Sequence, residues 1–289
     1  AYTTGSHLNH MTFVVPVFWQ GQIVAFSACM AHWIDVGGPL DGMTLDIYSE
    51  GLQMPMVKAW RKGEENRDVF DIIRLNVRVP ERAMGDLRAQ IGAAQLGVRR
   101  LKALCERWGN ETVRAAVDSM IGYAKRRFRA EVESWPDGVY ESDVYVDQDP
   151  KGNRDIHVHC KVTIDGGRIV VDFTGSDDRP EIVAYSTYGN TRGYVIAQLA
   201  AMMAPDIPKN EGFFESVELV VPEGCCLNPP PGRSVAAGTH HPGTEVGEAI
   251  AKALSNVVPS RCCPQIYKMG MPTVIHGTDP RTRSEEHTS

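Results

Sequence analysis

The feature that most restricts the fold is a long run of helical periodicity in the middle of the chain. From Glu81 to Trp108, the apolar residues Met84, Leu87, Ile91, Ala94, Val98, Leu101 and Cys105 recur at three- and four-residue steps. That spacing puts them on one face of an α-helix. Pro80 leads into the run and Gly109 stops it, each where its backbone preferences suit a helix end. Asn110 is predicted to cap a second helix running to about Ser134, with Val113, Val117, Met120, Ile121, Ala124 and Phe128 as its buried stripe. The basic run Lys125-Arg126-Arg127-Phe128-Arg129 falls towards the end of that helix, where the helix dipole favours cations. It reads as a solvated helix end rather than a phosphate site.

On either side the pattern is that of strands. Thr12–Trp19 and Gln22–Ala28 are β-branched and aromatic runs separated by Gln20-Gly21, which predicts a tight hairpin. Pro16 inside the first run suggests an edge position or a bulge. Residues 35–63 are punctuated by Gly and Pro and read as loops around short elements. Beyond Trp135, Val139–Val146, Ile156–Ile164 and Arg168–Phe173 alternate, with Asp165-Gly166-Gly167 turning between the last two. A helix over about Arg192–Met203, a strand over Phe214–Val221 and a helix over Glu245–Val257 follow. Helices and strands are largely segregated, which predicts an α+β fold. The expected organisation is a hairpin-and-loop region (1–80), a helical pair (81–134) and an α+β region (135–282).

Composition sets the outer bounds. With 289 residues, 43% hydrophobic and 23% charged, the chain can bury a core of ordinary size. Its net charge of −6 argues against a sequence-independent nucleic-acid binder, whose surface would be basic. No apolar run is long enough to span a bilayer, and no signal peptide is apparent. Seven cysteines, an odd number with Cys225-Cys226 and Cys262-Cys263 adjacent, fit a reducing cytoplasm rather than a disulfide framework. Those two pairs lack metal-ligand spacing and read as structural. The chain opens on Ala1, and Arg283–Ser289 reads as the in-frame translation of a common sequencing adapter. Both ends are therefore expected to be cut from a longer product, with the tail foreign to the fold. No phosphate-binding loop, nucleophile elbow or dinucleotide fingerprint is present, so the sequence shows no recognisable nucleotide site.

The hairpin gathers three histidines. With Trp19 opposite Gln22, an unbroken ladder sets Ala31 opposite His10 and His32 opposite Asn9. His7, His10 and His32 then collect at the open end. In a continuous strand, however, His10 would face away from His7 and His32, so convergence requires the pleat to end near Asn9. Three neutral imidazoles suit zinc, manganese or iron and leave coordination positions open; the alternative is a set of ordinary surface or packing residues. Asp35, three residues after His32, is placed to be a fourth ligand or to orient an imidazole. Elsewhere, His157 and His159 share one face of a strand and read as a solvent-facing pair. His240-His241 sits in a loop before a helix, a position suited to lining a site. Glu50 and Asp86-x-Arg88 either bind substrate or fix loops by ion pairing.

Several segments, in order, resemble the hydantoinase B family. They are Gly5-Ser6-His7-Leu8-Asn9-His10-Met11-Thr12, Val14-Val15-Pro16-Val17-Phe18, Val24-Ala25-Phe26 and Ala31-His32-Trp33-Ile34-Asp35-Val36-Gly37-Gly38. Glu50-Gly51-Leu52 with Pro55–Lys58, Gly85–Gln90, Asp172–Ser176 and Leu227-Asn228-Pro229 extend the match to nearly the whole chain. That family includes B subunits of ATP-dependent hydantoinases and related lactamases, the matching half of 5-oxoprolinase, and a large subunit of acetone-type carboxylases. The resemblance implies a divalent metal, zinc or manganese, on His7 and His32. His10 stands where many members carry Asp, which leaves three neutral ligands and favours zinc. Asp35 and Glu50 are the carboxylates expected to serve catalysis. The resemblance further implies a hetero-oligomer in which a hydantoinase A-type subunit handles ATP. The expected reaction is opening of a cyclic amide (a hydantoin, lactam or 5-oxoproline), with ATP-dependent carboxylation of a ketone as the alternative. A non-catalytic assembly subunit is the reading of a different class.

Overall fold

The computed structural model describes residues 2, 5–39 and 44–262, together with the backbone of Ile275–Thr278 and Glu285–Thr288. The architecture is α+β, as the segregated pattern predicts. The chain begins with the hairpin of β1 (His10–Trp19) and β2 (Gln22–His32). Gln20 and Gly21 at its tip both have positive φ, 48° and 81°, the conformation that matches the twist of a two-residue turn. Trp19 pairs with Gln22 and Phe18 with Ile23, but Val17 pairs with Ala25. Val24 is therefore an extra residue, a β-bulge. Every pair beyond it moves by one, so His32 lies opposite His10 and not opposite Asn9. The unbroken ladder expected from the sequence is corrected, because the apolar run through Val24 carries no mark of the insertion. Pro16 stays inside the strand, opposite Phe26, which a two-stranded sheet permits because both strands are edges.

After Glu50, which closes a 3-10 turn over Ile47–Glu50, comes the short hairpin of β3 (Trp60–Arg61) and β4 (Glu64–Glu65). The helix α1 (Arg67–Asn76) follows, unanticipated in the sequence, and buries Val69, Phe70 and Ile73. The helical pair is α2 (Pro80–Trp108) and α3 (Asn110–Glu133), divided at Gly109. Two details depart from expectation. Gly109, not Asn110, occupies the cap of α3, while Asn110 accepts from the Cys105 thiol at 3.8 Å. The predicted stripe is buried only at Ala124 and Phe128, whereas Val117 and Met120 are about half exposed at 48% and 58%. Val113 and Val117 border an open crevice with Leu101, Cys105 and the hairpin residues Val24 and Ala25. The basic run is solvated: Arg127 pairs with Asp206 at 3.0 Å and Arg129 with Glu133 at 2.8 Å.

The second half is built on a sheet of β5 (Gly138–Gln148), β6 (Arg154–Asp165), β7 (Arg168–Asp172) and β8 (Val217–Val220), in that order. The first three strands are antiparallel, and β8 joins β7 in parallel. The β6–β7 turn is Gly166-Gly167, with φ of 52° and 86°. Between β7 and β8 run α4 (Tyr188–Met202) and the short α5 (Glu211–Phe214). The strand expected over Phe214–Val221 is thus shorter, because Asn210 accepts from the Gly212 N–H at 3.0 Å and starts a helical turn. Phe213 in that turn packs edge-on against Phe128 of α3. The helix α6 (Gly243–Ala253) covers the inner face of β5 and β6. There Val144, Val146, Ile156, Val158, Cys160, Val162 and Ile164 are buried. Alternation puts the intervening residues of both strands outward.

The strands β9 (Ile275–Thr278) and β10 (Glu285–Thr288) pair with each other. Glu285–Thr288 belong to the tail expected to be foreign, of which Arg283, Ser284 and Ser289 lie outside the described residues, as does Cys263. Cys29, Cys105, Cys160, Cys225 and Cys226 are free thiols, the last two buried. No helix among the described residues is long and apolar enough to cross a membrane.

Candidate metal centre

The hairpin register decides which side chains share the site. Met11, Phe13, Val15 and Val17 lie opposite Ala31, Cys29, Ser27 and Ala25, on the face that packs against α2. His10 and His32 oppose one another on the other face. The pleat stops at His10, and residues Ser6–Asn9 form a turn in which the His10 N–H donates to the His7 carbonyl at 3.2 Å. Convergence thus has two causes, the end of the pleat and the one-residue shift at Val24. Asn9 closes the hairpin: its carbonyl accepts from the Trp33 N–H at 2.8 Å, and its Nδ2 donates to the Trp33 carbonyl at 2.9 Å.

The three imidazoles meet. Their ring centroids are 4.1 Å apart for His7–His10, 4.9 Å for His7–His32 and 5.2 Å for His10–His32. One ring nitrogen from each lies within 4.8 Å of the others. A tetrahedral ion with Zn–N bonds of about 2.0–2.1 Å separates its ligands by roughly 3.4 Å, so small ring movements would bring the three nitrogens onto one ion. Ser6 Oγ sits 2.5 Å from His10 Nδ1 and 3.1 Å from His7 Nδ1. A hydroxyl oxygen has lone pairs for both Nδ1–H groups, which would leave each Nε2 bare, the form a metal requires. Burial pushes His7 down to about 3, with His10, His32 and His240 adding to the effect. His10 is also lowered, by burial and then by His32. Both rings are therefore neutral at pH 7, and the donor set fits a borderline cation such as zinc.

The carboxylates named from the sequence lie outside this triplet. Asp35 accepts from Gly37 N at 2.9 Å and from Arg78 Nη1 at 2.7 Å, and its Oδ2 accepts from the Arg78 backbone N–H. Although burial opposes it, this set of donors holds Asp35 below the usual carboxylate range. Arg78 also donates to the Gly38 carbonyl at 2.6 Å, so Asp35 fixes the loop after His32 to the start of α2. Gly38 packs so closely on Glu50 that a Cβ there would lie 2.1 Å from its carbonyl oxygen. Glu50 itself is buried, and its Oε1 accepts from Val235 N at 2.5 Å, Ala236 N at 2.9 Å and Thr44 Oγ1 at 3.3 Å. Burial pushes its carboxyl up, against those hydrogen bonds. Asp86 and Arg88 are exposed on α2.

Glu50 thereby holds the loop that carries His240. His240 bears electrostatically on His7, and burial, then His241, then His32 lower its own pKa. His241 Nδ1 lies 2.7 Å from Oε1 of the fully buried Glu245. Thr187, at the cap of α4, donates from Oγ1 to the Gly5 carbonyl at 2.5 Å, tying the His7 turn to the second half of the chain. Sequence reasoning misses Gln90 as a supporting residue. From α2 it donates through Nε2 to the carbonyls of Met11 (2.6 Å) and Cys29 (2.7 Å), spanning both hairpin strands. Its signals are a polar residue on the buried stripe, between Leu87 and Ile91, and its place in the matching segment Gly85–Gln90. The pair His157 and His159, read as solvent-facing, lies on the outer face of the sheet, partly exposed, and shares the carboxylate of Asp143.

The chain belongs to the hydantoinase B/oxoprolinase family, whose model matches residues 1–289. It is 31% identical over 278 residues to the putative B subunit of a D-/L-hydantoinase from Pseudomonas sp. (strain NS671), covering 89% of this chain and 46% of that protein. The crystal structure of the ATP-dependent caprolactamase from Pseudomonas jessenii superposes with a TM-score of 0.83 at 30% identity. That match covers 99% of this chain and 50% of the other. The acetophenone carboxylase delta subunit of Aromatoleum aromaticum (strain DSM 19018 / LMG 30748 / EbN1) is 26% identical over 239 residues, 78% of this chain and 34% of the relative. The chain thus spans half or less of the length of each of these relatives.

Proposed function

We propose that this chain is the metal-bearing part of a hydantoinase B-type subunit that opens a cyclic amide in an ATP-dependent complex. The observation that carries the reading is the meeting of His7, His10 and His32 at one end of the hairpin, where burial favours the neutral rings of His7 and His10. The likeness to a caprolactamase and a hydantoinase subunit supports the substrate class, a lactam, hydantoin or 5-oxoproline ring. A divalent ion held there would supply Lewis acidity towards a carbonyl or a water at an open coordination position. His7, the buried member, fixes the inner side of the site, and His32, the exposed member, faces the approach of substrate. Ser6 sets the ring tautomers. In this reading Asp35 and Glu50 act through the loops they hold, and His240, which bears electrostatically on His7, would meet substrate. ATP belongs to a hydantoinase A-type partner in a hetero-oligomer, where phosphorylation would turn the amide oxygen into a leaving group.

The test is the metal content of the chain with and without His32→Ala. Loss of about one equivalent in the variant is expected, and equal content in both would overturn the site and favour an assembly role. The likeness to an acetophenone carboxylase subunit supports a second reading, carboxylation of a ketone. ATP consumption by the complete complex that depends on bicarbonate would select it over hydrolysis.

A further inference from the structure

The outer face of the β5–β8 sheet carries another group of ligand-type side chains, from elements that take no part in the hairpin triplet. His157 and His159 lie two residues apart on β6 and so project to the same face. The register sets Asp143 of β5 directly opposite His159, and Tyr145 opposite His157. Asp143 Oδ1 is 2.6 Å from His157 Nε2 and 2.9 Å from His159 Nδ1. We propose that Asp143, His157 and His159 form a second divalent-cation site, taking zinc or a similar first-row transition ion through two imidazole nitrogens and one carboxylate oxygen.

Three properties support this. The donors are already aimed at one point, since one ligand atom from each residue lies within 4.8 Å of the others. Tetrahedral coordination at about 2.0–2.1 Å would open the present contacts to roughly 3.4 Å, a change under 1 Å at each. The ion would take the place of the hydrogen-bonded protons, and the remaining positions would face solvent.

The frame is also rigid. Strand β6 is interior to the sheet, and its inward residues Ile156, Val158 and Cys160 are fully buried. The His159 N–H donates to Ser176 Oγ at 3.1 Å, and the His157 carbonyl accepts from Asp177 N at 2.9 Å. The Tyr145 ring stacks on His157 at 5.0 Å with an interplanar angle of 21°, and a Cβ at Gly175 would lie 3.7 Å from the His159 ring. Ring orientation is therefore set before any ion arrives.

The charges suit a cation as well. Hydrogen bonds from His159 and then His157 hold the Asp143 carboxyl below the usual carboxylate range. Neither nearby lysine pairs with the Asp143 carboxylate: Lys161 pairs with Asp172 at 3.0 Å, and Lys252 Nζ donates to the Asp143 backbone carbonyl at 2.7 Å.

The experiment is calorimetric titration of the metal-free full chain with zinc, with cobalt absorption as a second readout of ligand type. The double variant His157→Ala/His159→Ala is expected to lose one equivalent and to keep the one that depends on His32. His32→Ala is expected to do the reverse, and Asp143→Asn to weaken the sheet site at least about tenfold. Circular dichroism of these outward-facing variants should match the parent. Zinc stoichiometry and affinity unchanged in the double variant would overturn the proposal, as would a dissociation constant weaker than on the order of 1 mM. A chain that loses its only equivalent in the double variant would uphold this site and remove the hairpin one, so the two inferences fail separately.

Discussion

The indole N–H of Trp33 donates to Oε1 of Gln90 across 3.0 Å, with both side chains buried. Trp33 follows His32 directly, and the same amide reaches both hairpin strands through Nε2. One helix side chain therefore sets the height of the histidine end of the hairpin above α2. Gln90→Ala leaves a buried indole N–H and two carbonyls without their partner, which should cost about 2–4 kcal/mol of stability. Zinc affinity should fall by about tenfold. Chemical denaturation and metal titration of the variant measure the two effects; an unchanged affinity would show that the hairpin holds its own geometry.

Deleting Val24 removes the bulge and restores an unbroken ladder from Trp19 to the open end. Val17 would still oppose Ala25 and His10 would still oppose His32, because the residue removed is the unpaired one. The variant should retain its helices by circular dichroism and keep the equivalent of zinc that depends on His32. Loss of that equivalent would mean that the local bend at the bulge, and not the register alone, brings the rings together.

The low pKa of His7 gives a pH dependence of defined sign. Its value falls from 6.5 to about 3 in the folded chain, mainly by burial. Between those values the unfolded chain binds the additional proton, so stability falls as pH falls through the interval and the effect vanishes above it. The metal-free chain should therefore lose more stability between about pH 7 and about pH 4.5 than His7→Phe does. Urea midpoints at the two values decide it, with parallel losses counting against a buried neutral His7.

Glu50→Ala should destabilise by about 2–3 kcal/mol, since two backbone N–H groups of the 234–236 segment lose a buried acceptor. Glu50→Gln keeps an acceptor oxygen and should retain most of the stability. If turnover follows stability across the two variants, Glu50 acts by holding the His240 loop. A Gln variant that is stable but inactive would instead assign the carboxylate a direct chemical part.

The sequence makes some of this legible and hides the rest for physical reasons. The helix ends at Pro80 and Gly109 and the turns at Gln20-Gly21 and Gly166-Gly167 are local decisions, written in residues with distinctive backbone preferences. The bulge at Val24 is not: an extra apolar residue in an apolar run looks like any other member of the strand. The predicted stripe of α3 is too long because periodicity states which face is apolar, not whether anything covers Val117 and Met120. His7, His10 and His32 can be grouped from the sequence because a hairpin lies between them. Asp143 cannot be joined to His157 and His159 without the β5–β6 register, which a loop of uncertain length leaves open. Arg78 and Thr187 hold the site from distant parts of the chain and have no sequence signature.

The hydrogen bond from Thr187 to the Gly5 carbonyl means that the hairpin does not own its histidine cluster. His7 takes its position from a turn clasped to a helix more than half the chain away. A peptide comprising the hairpin alone would present His10 and His32 across one rung but leave His7 unrestrained. Tight cation capture would then report that the two halves have docked, and an ion lost early on mild heating would reveal their parting before either half melts.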